Sequence, residues 1–280
     1  MGGLCASNGA CSNMRGNREG DIWHEAHRSR HRRHERHRKA TVERFLEAGD
    51  EVWYLGRHEK PEVAELFRTK GEAHFIKADV SDEEACHKAV AEVLDAAGRI
   101  DVLVNVAGIV GARESFLEIP MEEVRKVLAS NLMGTMYMGQ TAAQVMVERR
   151  SGVIVNVGSI CGHMANTESV AYHASKGAVT MLTKAEAREL APYGIRAVEV
   201  APGWVHTGMV DEATLAFGGR LHMDGSIVEP EEVASLIYLA SLPEAAALCG
   251  TTIMADKGYS AFKGLDGYRA EQPCTHALPL

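Results

Sequence analysis

From Lys39 to about Asp256, short apolar runs alternate with longer stretches of helical period, and this alternation constrains the fold more than any other feature. The runs EVWYLG, AHFIKADV, IDVLVNVAG, GVIVNVGS, IRAVEVAPG and GTTIMAD read as strands. ATVERFLEAG precedes them as a helix with Val42, Phe45 and Leu46 on one face and Gly49 as its stop. Helices PEVAELFRTKG, SDEEACHKAVAEVLDAAG (capped by Ser81 or Asp82), about Met121 to Arg149, about Ser169 to Leu190, and EPEEVASLIYLAS fill the intervals. Strands alternating with helices run parallel, because each crossover helix returns the chain to the same end of the sheet. The expected architecture is a single doubly wound α/β domain over residues 39–262, followed by a tail at 263–280.

Such a sheet binds its ligand at the carboxyl ends of its strands. Three strands end there in polar or glycine-rich sequence, at Asn105 to Gly108, Asn156 to Gly162 and Ala201 to Gly208, and all three face one crevice. The segment from Trp204 to Ser226, with Met209, Leu215, Phe217, His222 and Met223, reads as an irregular cover for the crevice and names no substrate.

Bulk properties narrow the function classes. A chain of 280 residues, 46% of them hydrophobic, can bury a full core. A net charge of −8 argues against general nucleic-acid binding. Six cysteines without C-x-x-C spacing suit a reduced compartment, and no apolar stretch approaches a bilayer span. The expectation is a soluble cytoplasmic protein with a small-molecule partner, no nucleic-acid or membrane partner, and no metal centre.

The chemistry centres on YHASK. Tyr172 and Lys176 are four residues apart and share one helix face. A phenol titrates at about 10, and a neighbouring ammonium favours the phenolate, making tyrosine a usable proton donor and acceptor nearer neutrality. Ser159, at a strand end thirteen positions earlier, can bond the oxygen of a carbonyl or alcohol. Alone, Tyr-x-x-x-Lys usually marks a solvated pair; with Ser159, Asn131 in the preceding long helix and a Pro-Gly loop carrying Thr207, it is far more specific.

These residues, with ADVSD, VNVAG, SNLMG, VGS, YHASK and APGWVHT in order from Lys39 to about Phe262, resemble the classical short-chain dehydrogenase/reductase family. The resemblance implies a Rossmann-type fold and oxidoreduction between a secondary alcohol and a ketone. It also implies a tetrad. Tyr172 is the general acid/base, Ser159 orients the substrate oxygen, Lys176 lowers the tyrosine pKa and holds the nicotinamide ribose, and Asn131 anchors a relay water. Asp79 matches the adenine contact, Asn105, Ala107 and Gly108 the cofactor-lining turn, and Pro202, Gly203, Val205 and Thr207 the nicotinamide-side loop. Val106 and Val198 depart from the family's usual Asn at their positions. A homo-oligomer, tetramer or dimer, is implied as well.

Cofactor choice turns on the end of EVWYLG. An acidic residue there would accept bonds from the ribose 2′-hydroxyl of NAD; the chain has Gly56 and then Arg57, which can pair with a 2′-phosphate. The expected cofactor is NADP, with NAD the alternative.

One part of the pattern is missing. A dinucleotide fold needs a central first strand running into a glycine-rich turn at a helix N-terminus, which in this family reads Thr-Gly-x-x-x-Gly-Ile-Gly. The slot before Lys39 instead holds HRRHERHR, residues 31–38, without a glycine. A metal- or phosphate-binding arm and a solvated tail are two readings of residues 1–38, which show no structural period. The third is a shift of reading frame. Read one base later, HRRHERHR permits Thr-Gly-Gly-Thr-Ser-Gly-Ile-Gly, and HRSR before it permits Ile-Ala-Val-Val. The expectation is a frame-shifted, disordered segment at 1–38, a missing or disrupted first strand, and, for the chain as written, a catalytically impaired remnant as the alternative to an enzyme.

Overall fold

Helix α1 begins before Lys39, the residue at which regular structure was expected to start. In this computed structural model residues 36–166, 168–206 and 218–261 are described, and α1 occupies residues 36–47. Arg36, His37 and Arg38 form its first described turn, so the last three residues of the basic run are helical rather than disordered. Val42, Phe45 and Leu46 are buried on one face, and Gly49 at φ 89° provides the left-handed turn that ends the segment. The expectations for residues 1–35, 262–280, Thr207, Met209, Leu215 and Phe217 lie outside the described residues.

The order then follows the alternation: β1 (Val52–Gly56), α2 (Pro61–Lys70), β2 (Ala73–Lys77), α3 (Glu83–Ala97), β3 (Val102–Asn105), α4 (Met121–Leu128), α5 (Gly134–Arg149), β4 (Gly152–Val157), α6 (Val170–Leu190), β5 (Ile195–Pro202), α7 (Pro230–Ser241) and β6 (Thr252–Ala255). Asp82, rather than Ser81, caps α3 by accepting from Ala85 N at 3.2 Å. A reciprocal pair, Glu229 and Glu232, caps α7, with Pro230 in its first turn. The long helix expected at Met121 to Arg149 is interrupted by a π-helical stretch at Ala129–Met133.

Four parallel strands pair in the order β3-β4-β5-β6, and β1 pairs parallel with β2 in a separate two-stranded sheet. Among the described residues the two sheets are not joined by a strand pairing. Helices cover both faces. On one, Phe45 of α1 and Val233 and Ile237 of α7 pack on Val155, Val157, Val198 and Val200; on the other, Ala142, Ala143 and Met146 of α5 and Ala187 of α6 pack on Ile154, Ile195 and Ala197. Phe45 meets Tyr238 edge-on at 5.1 Å, with the Arg44 guanidinium 3.9 Å from the same ring.

Candidate active site

The strand ends supply a rigid floor. Asn105, Asn156, Glu199 and Thr252 share one register across β3 to β6, forming a polar row at the carboxyl ends of β3 and β4 that continues across β5 to the start of β6. Asn105 Nδ2 donates to Asn156 Oδ1 at 2.9 Å, and Asn156 Nδ2 donates to Thr183 Oγ1 at 3.0 Å and Glu186 at 2.7 Å. Glu199, fully buried, accepts from Thr180 at 2.9 Å and Thr252 at 2.6 Å. Burial pushes Glu186 up to about 7, opposed by the bond from Asn156. A buried carboxyl needs such partners, and here they tie strands to α6. Neither glutamate was foreseen from sequence; the signal was a carboxylate inside each of two largely apolar patterns, IRAVEVAP and the inner face of α6.

Above this floor, Lys176 is 2% exposed and its Nζ donates to Val157 O at 2.7 Å, fastening α6 to the last residue of β4. Burial lowers its pKa to about 8, while the charge of Glu199 works the other way. Lys176 Nζ lies 5.9 Å from the centre of the Tyr172 ring. Two residues beyond Val157, Ser159 is buried, and its Oγ accepts from Cys161 N at 3.1 Å. Gly162 lets this turn press against α6: a Cβ there would stand 2.8 Å from Lys176 O. The sequence-expected Ser159, Tyr172 and Lys176 are thus set by one strand end and one helix face.

Asn131 completes the group from the π-helical stretch. Its Oδ1 accepts from Ile109 N at 2.7 Å, and its Nδ2 donates to Ile109 O at 2.9 Å and Ser175 Oγ at 3.0 Å. An extra residue in the turn re-aims the side chain, which is how such bulges serve sites. Asn131 therefore clamps the segment after β3 to α6.

On the cofactor side, Asp79, Asn105, Ala107, Gly108 and Arg57 all line one cavity of about 980 Å³. Asp79 is engaged by Ser81, which donates from N at 3.0 Å and from Oγ at 2.8 Å. Pro202 ends β5 and Gly203 and Val205 follow it, with Val205 bridged to Val228. At Gly203 a Cβ would stand 2.9 Å from both Asp256 and the buried His222, so the loop passes where only glycine fits. Cys161 and His163 turn inward: burial pushes the Cys161 thiol up, and His163 Nε2 lies 3.4 Å from Thr180 Oγ1 and 3.6 Å from Glu199.

The phosphate end differs from the rest. His37 is held neutral, its pKa lowered to about 4 by burial and then by the charge of Lys176. Arg38 Nη1 donates to Leu55 O at 2.9 Å and occupies the space beside Gly56. Two side chains thus stand in the opening turn of α1, where a pyrophosphate needs bare backbone N–H groups.

A family model described as enoyl-(acyl carrier protein) reductase matches residues 39–260. The chain belongs to the short-chain dehydrogenase/reductase family. The match begins at Lys39, directly after the basic run. A 3-oxoacyl-(acyl-carrier-protein) reductase of Synechocystis is 34% identical over 202 residues, 71% of this chain and 81% of the relative. A cyclopentanol dehydrogenase of Comamonas is 34% identical over 206 residues, with the same shares. Among solved structures, ElxO with NADP bound superimposes with a TM-score of 0.75 at 27% identity, covering 80% of this chain and 94% of that one. This short-chain dehydrogenase/reductase therefore has the Rossmann-type α/β fold of its family and is an oxidoreductase by descent.

Proposed function

We propose that the protein interconverts a secondary alcohol and a ketone with NADP, with NAD as the second choice, in the cytoplasm and as a homodimer or homotetramer. The observation that carries this reading is Lys176, buried and fixed to Val157 O beside Ser159 and Tyr172. The Ser159 hydroxyl bonds the substrate oxygen, and Tyr172 gives that oxygen a proton in reduction and takes it back in oxidation. The Lys176 ammonium stabilises the phenolate by charge, and Asn131 holds the segment at Ile109 in place. Bound nicotinamide would supply or accept the hydride. Arg57 suits the 2′-phosphate, Asp79 the adenine end, Asn105, Ala107 and Gly108 the lining turn, and Pro202, Gly203, Val205 and Thr207 the nicotinamide side. Substrate classes consistent with the relatives are 3-oxoacyl thioesters and cyclic alcohols.

The pyrophosphate end does not fit the cofactor, because His37 and Arg38 stand where the glycine-rich turn belongs. That observation favours, for the chain as written, the second reading of a remnant unable to hold the cofactor. Loss of two or three charge-assisted bonds at ~1.5–3 kcal/mol each lowers cofactor affinity on the order of a thousandfold or more. Titration of the 280-residue chain with NADPH separates the readings: saturable fluorescence enhancement supports the enzyme, and its absence the remnant. A panel of ketones and alcohols with NADPH and NADH, run on a chain with a glycine-rich turn restored, tests the alcohol–ketone reading itself.

A further inference from the structure

The amino ends of β1 and β2 bring three metal-ligating side chains together on one face of the pair. Trp53 stands beside His74 in the register, and Val52 N donates to Glu72 O at 2.9 Å. Glu51, the residue before β1, therefore lies next to Glu72, the residue before β2. Successive strand residues alternate faces, which puts Glu72 and His74 on one side of β2 and Glu51 and Trp53 on the same side of β1. One ligand atom from each of Glu51, Glu72 and His74 lies within 4.8 Å of the other two. Both glutamates are exposed, so a cation can reach them from solvent.

His74 adds what two carboxylates alone would not supply. Its ring stacks on Trp53, with centroids 4.4 Å apart and planes at 25°, which holds its orientation. Its Nε2 is buried and makes no hydrogen bond, although Glu51 Oε1 stands 3.1 Å away. A buried ring nitrogen left in this way costs stability. The nearest oxygen is close to it but out of line with it. Two ligands of one metal ion are arranged like this, because both point at a third centre. For zinc, bonds of about 2.0–2.1 Å at a tetrahedral angle put neighbouring ligand atoms about 3.3 Å apart, close to the 3.1 Å between His74 and Glu51.

We propose that Glu51, Glu72 and His74 form a site for a divalent transition-metal ion, with zinc the best match and water in the fourth position. The imidazole selects against magnesium and calcium, which take oxygen ligands. Three protein ligands and one open position make the zinc arrangement that keeps an exchangeable water. Bound there, the ion would tie the start of β1 to the start of β2 and stabilise the folded chain by mass action. Sequence spacing led to the expectation of no metal centre. Glu51 and Glu72 are 21 residues apart, and only the register of β1 on β2 brings them together. The site rests on the β1–β2 pair and not on the alcohol–ketone reading.

The test is equilibrium dialysis of the full 280-residue chain against zinc chloride, beside a Glu51→Gln, Glu72→Gln double variant. The two exposed substitutions keep side-chain size and remove both charges, and the far-ultraviolet circular dichroism of the two proteins should superimpose. His24, His27, His31, His34 and His37 can take up zinc in either protein, so the reading is the difference between them. The unsubstituted chain should hold one more zinc ion, and His74→Ala should lose the same ion. A second arm follows thermal unfolding. Zinc at a hundredfold excess over Kd should raise the melting temperature of the unsubstituted chain about 5–10 °C more than that of the double variant, and magnesium should not. Equal zinc content in the chain and the double variant, or an equal rise with magnesium, overturns the proposal.

Discussion

The sheet from β3 to β6 and the pair β1–β2 are built from similar apolar strands, yet among the described residues the first, the closed half, has two strands paired on both sides and the second, the open half, has none. In the larger sheet, β4 and β5 have partners on both sides, and the Asn105–Asn156–Glu199–Thr252 row is bonded to its neighbours or to α6. In the pair, Trp53 and Leu55 aim ladder groups into a cavity where an arginine side chain supplies a substitute bond. The proposed catalytic group depends on the closed half: Lys176 is bonded to β4, Asn131 to the segment after β3 and to α6, and Ser159 to the turn that follows β4. The proposed phosphate end of the cofactor site lies at the open half. The comparison teaches that the residues proposed for proton transfer are all fixed within one half of the molecule, independently of the other.

Four measurements break or sharpen this contrast. The largest effect is expected at Tyr172. In a chain with a glycine-rich turn restored, Tyr172→Phe should cut NADPH-linked turnover about 10²–10⁴-fold, the range for loss of a general acid, with little change in melting temperature. Near-normal turnover would dissociate the closed half from the chemistry.

The next compares the halves by cavity formation. Ile154→Ala, in β4 with the side chain fully buried, should cost about 2–5 kcal/mol by denaturant unfolding. Val52→Ala, in β1 and half-buried beside the cavity, should cost about 1 kcal/mol. Equal costs would show that the two halves are packed alike.

Asn131→Ala removes three hydrogen bonds between the segment after β3 and α6. At about 1 kcal/mol each, the loss is about 3 kcal/mol, or ~6–12 °C in melting temperature. An unchanged melting temperature would mean that the clamp adds nothing to the closed half.

The smallest effect is a pH dependence. The folded pKa of Glu186, about 7, lies above its ordinary value of 4.5, so the folded state holds the proton more tightly. Its contribution is therefore complete below about 4.5 and is lost as pH rises through about 7. With the side chain partly screened, the expected loss is about 1–3 kcal/mol. Glu186→Gln should flatten that part of the stability curve, and parallel curves for the two proteins would count against a protonated Glu186.

The alternation of periods was enough to identify six strands, because burial on both sheet faces makes each one a continuous apolar run. Spacing was enough to put Tyr172 and Lys176 on one helix face, and the family's motifs pointed to Ser159 and Asn131. The π-helical break at Ala129–Met133 was not legible, since one extra residue in a turn leaves the apolar period nearly intact. Glu199 and Glu186 were not legible either: a carboxylate in a strand or helix pattern looks exposed until a partner element supplies Thr180, Thr252 or Asn156.

By itself, the sequence determined the element order, the parallel class, the family pattern from Lys39 onward, and the lack of a glycine-rich turn before it, all properties of local composition and period. Only the tertiary structure decided which groups are buried together and, among the described residues, which strands pair. Those outcomes depend on contacts between residues far apart in the chain, such as Arg38 on Leu55 and Lys176 on Val157, which no local pattern encodes.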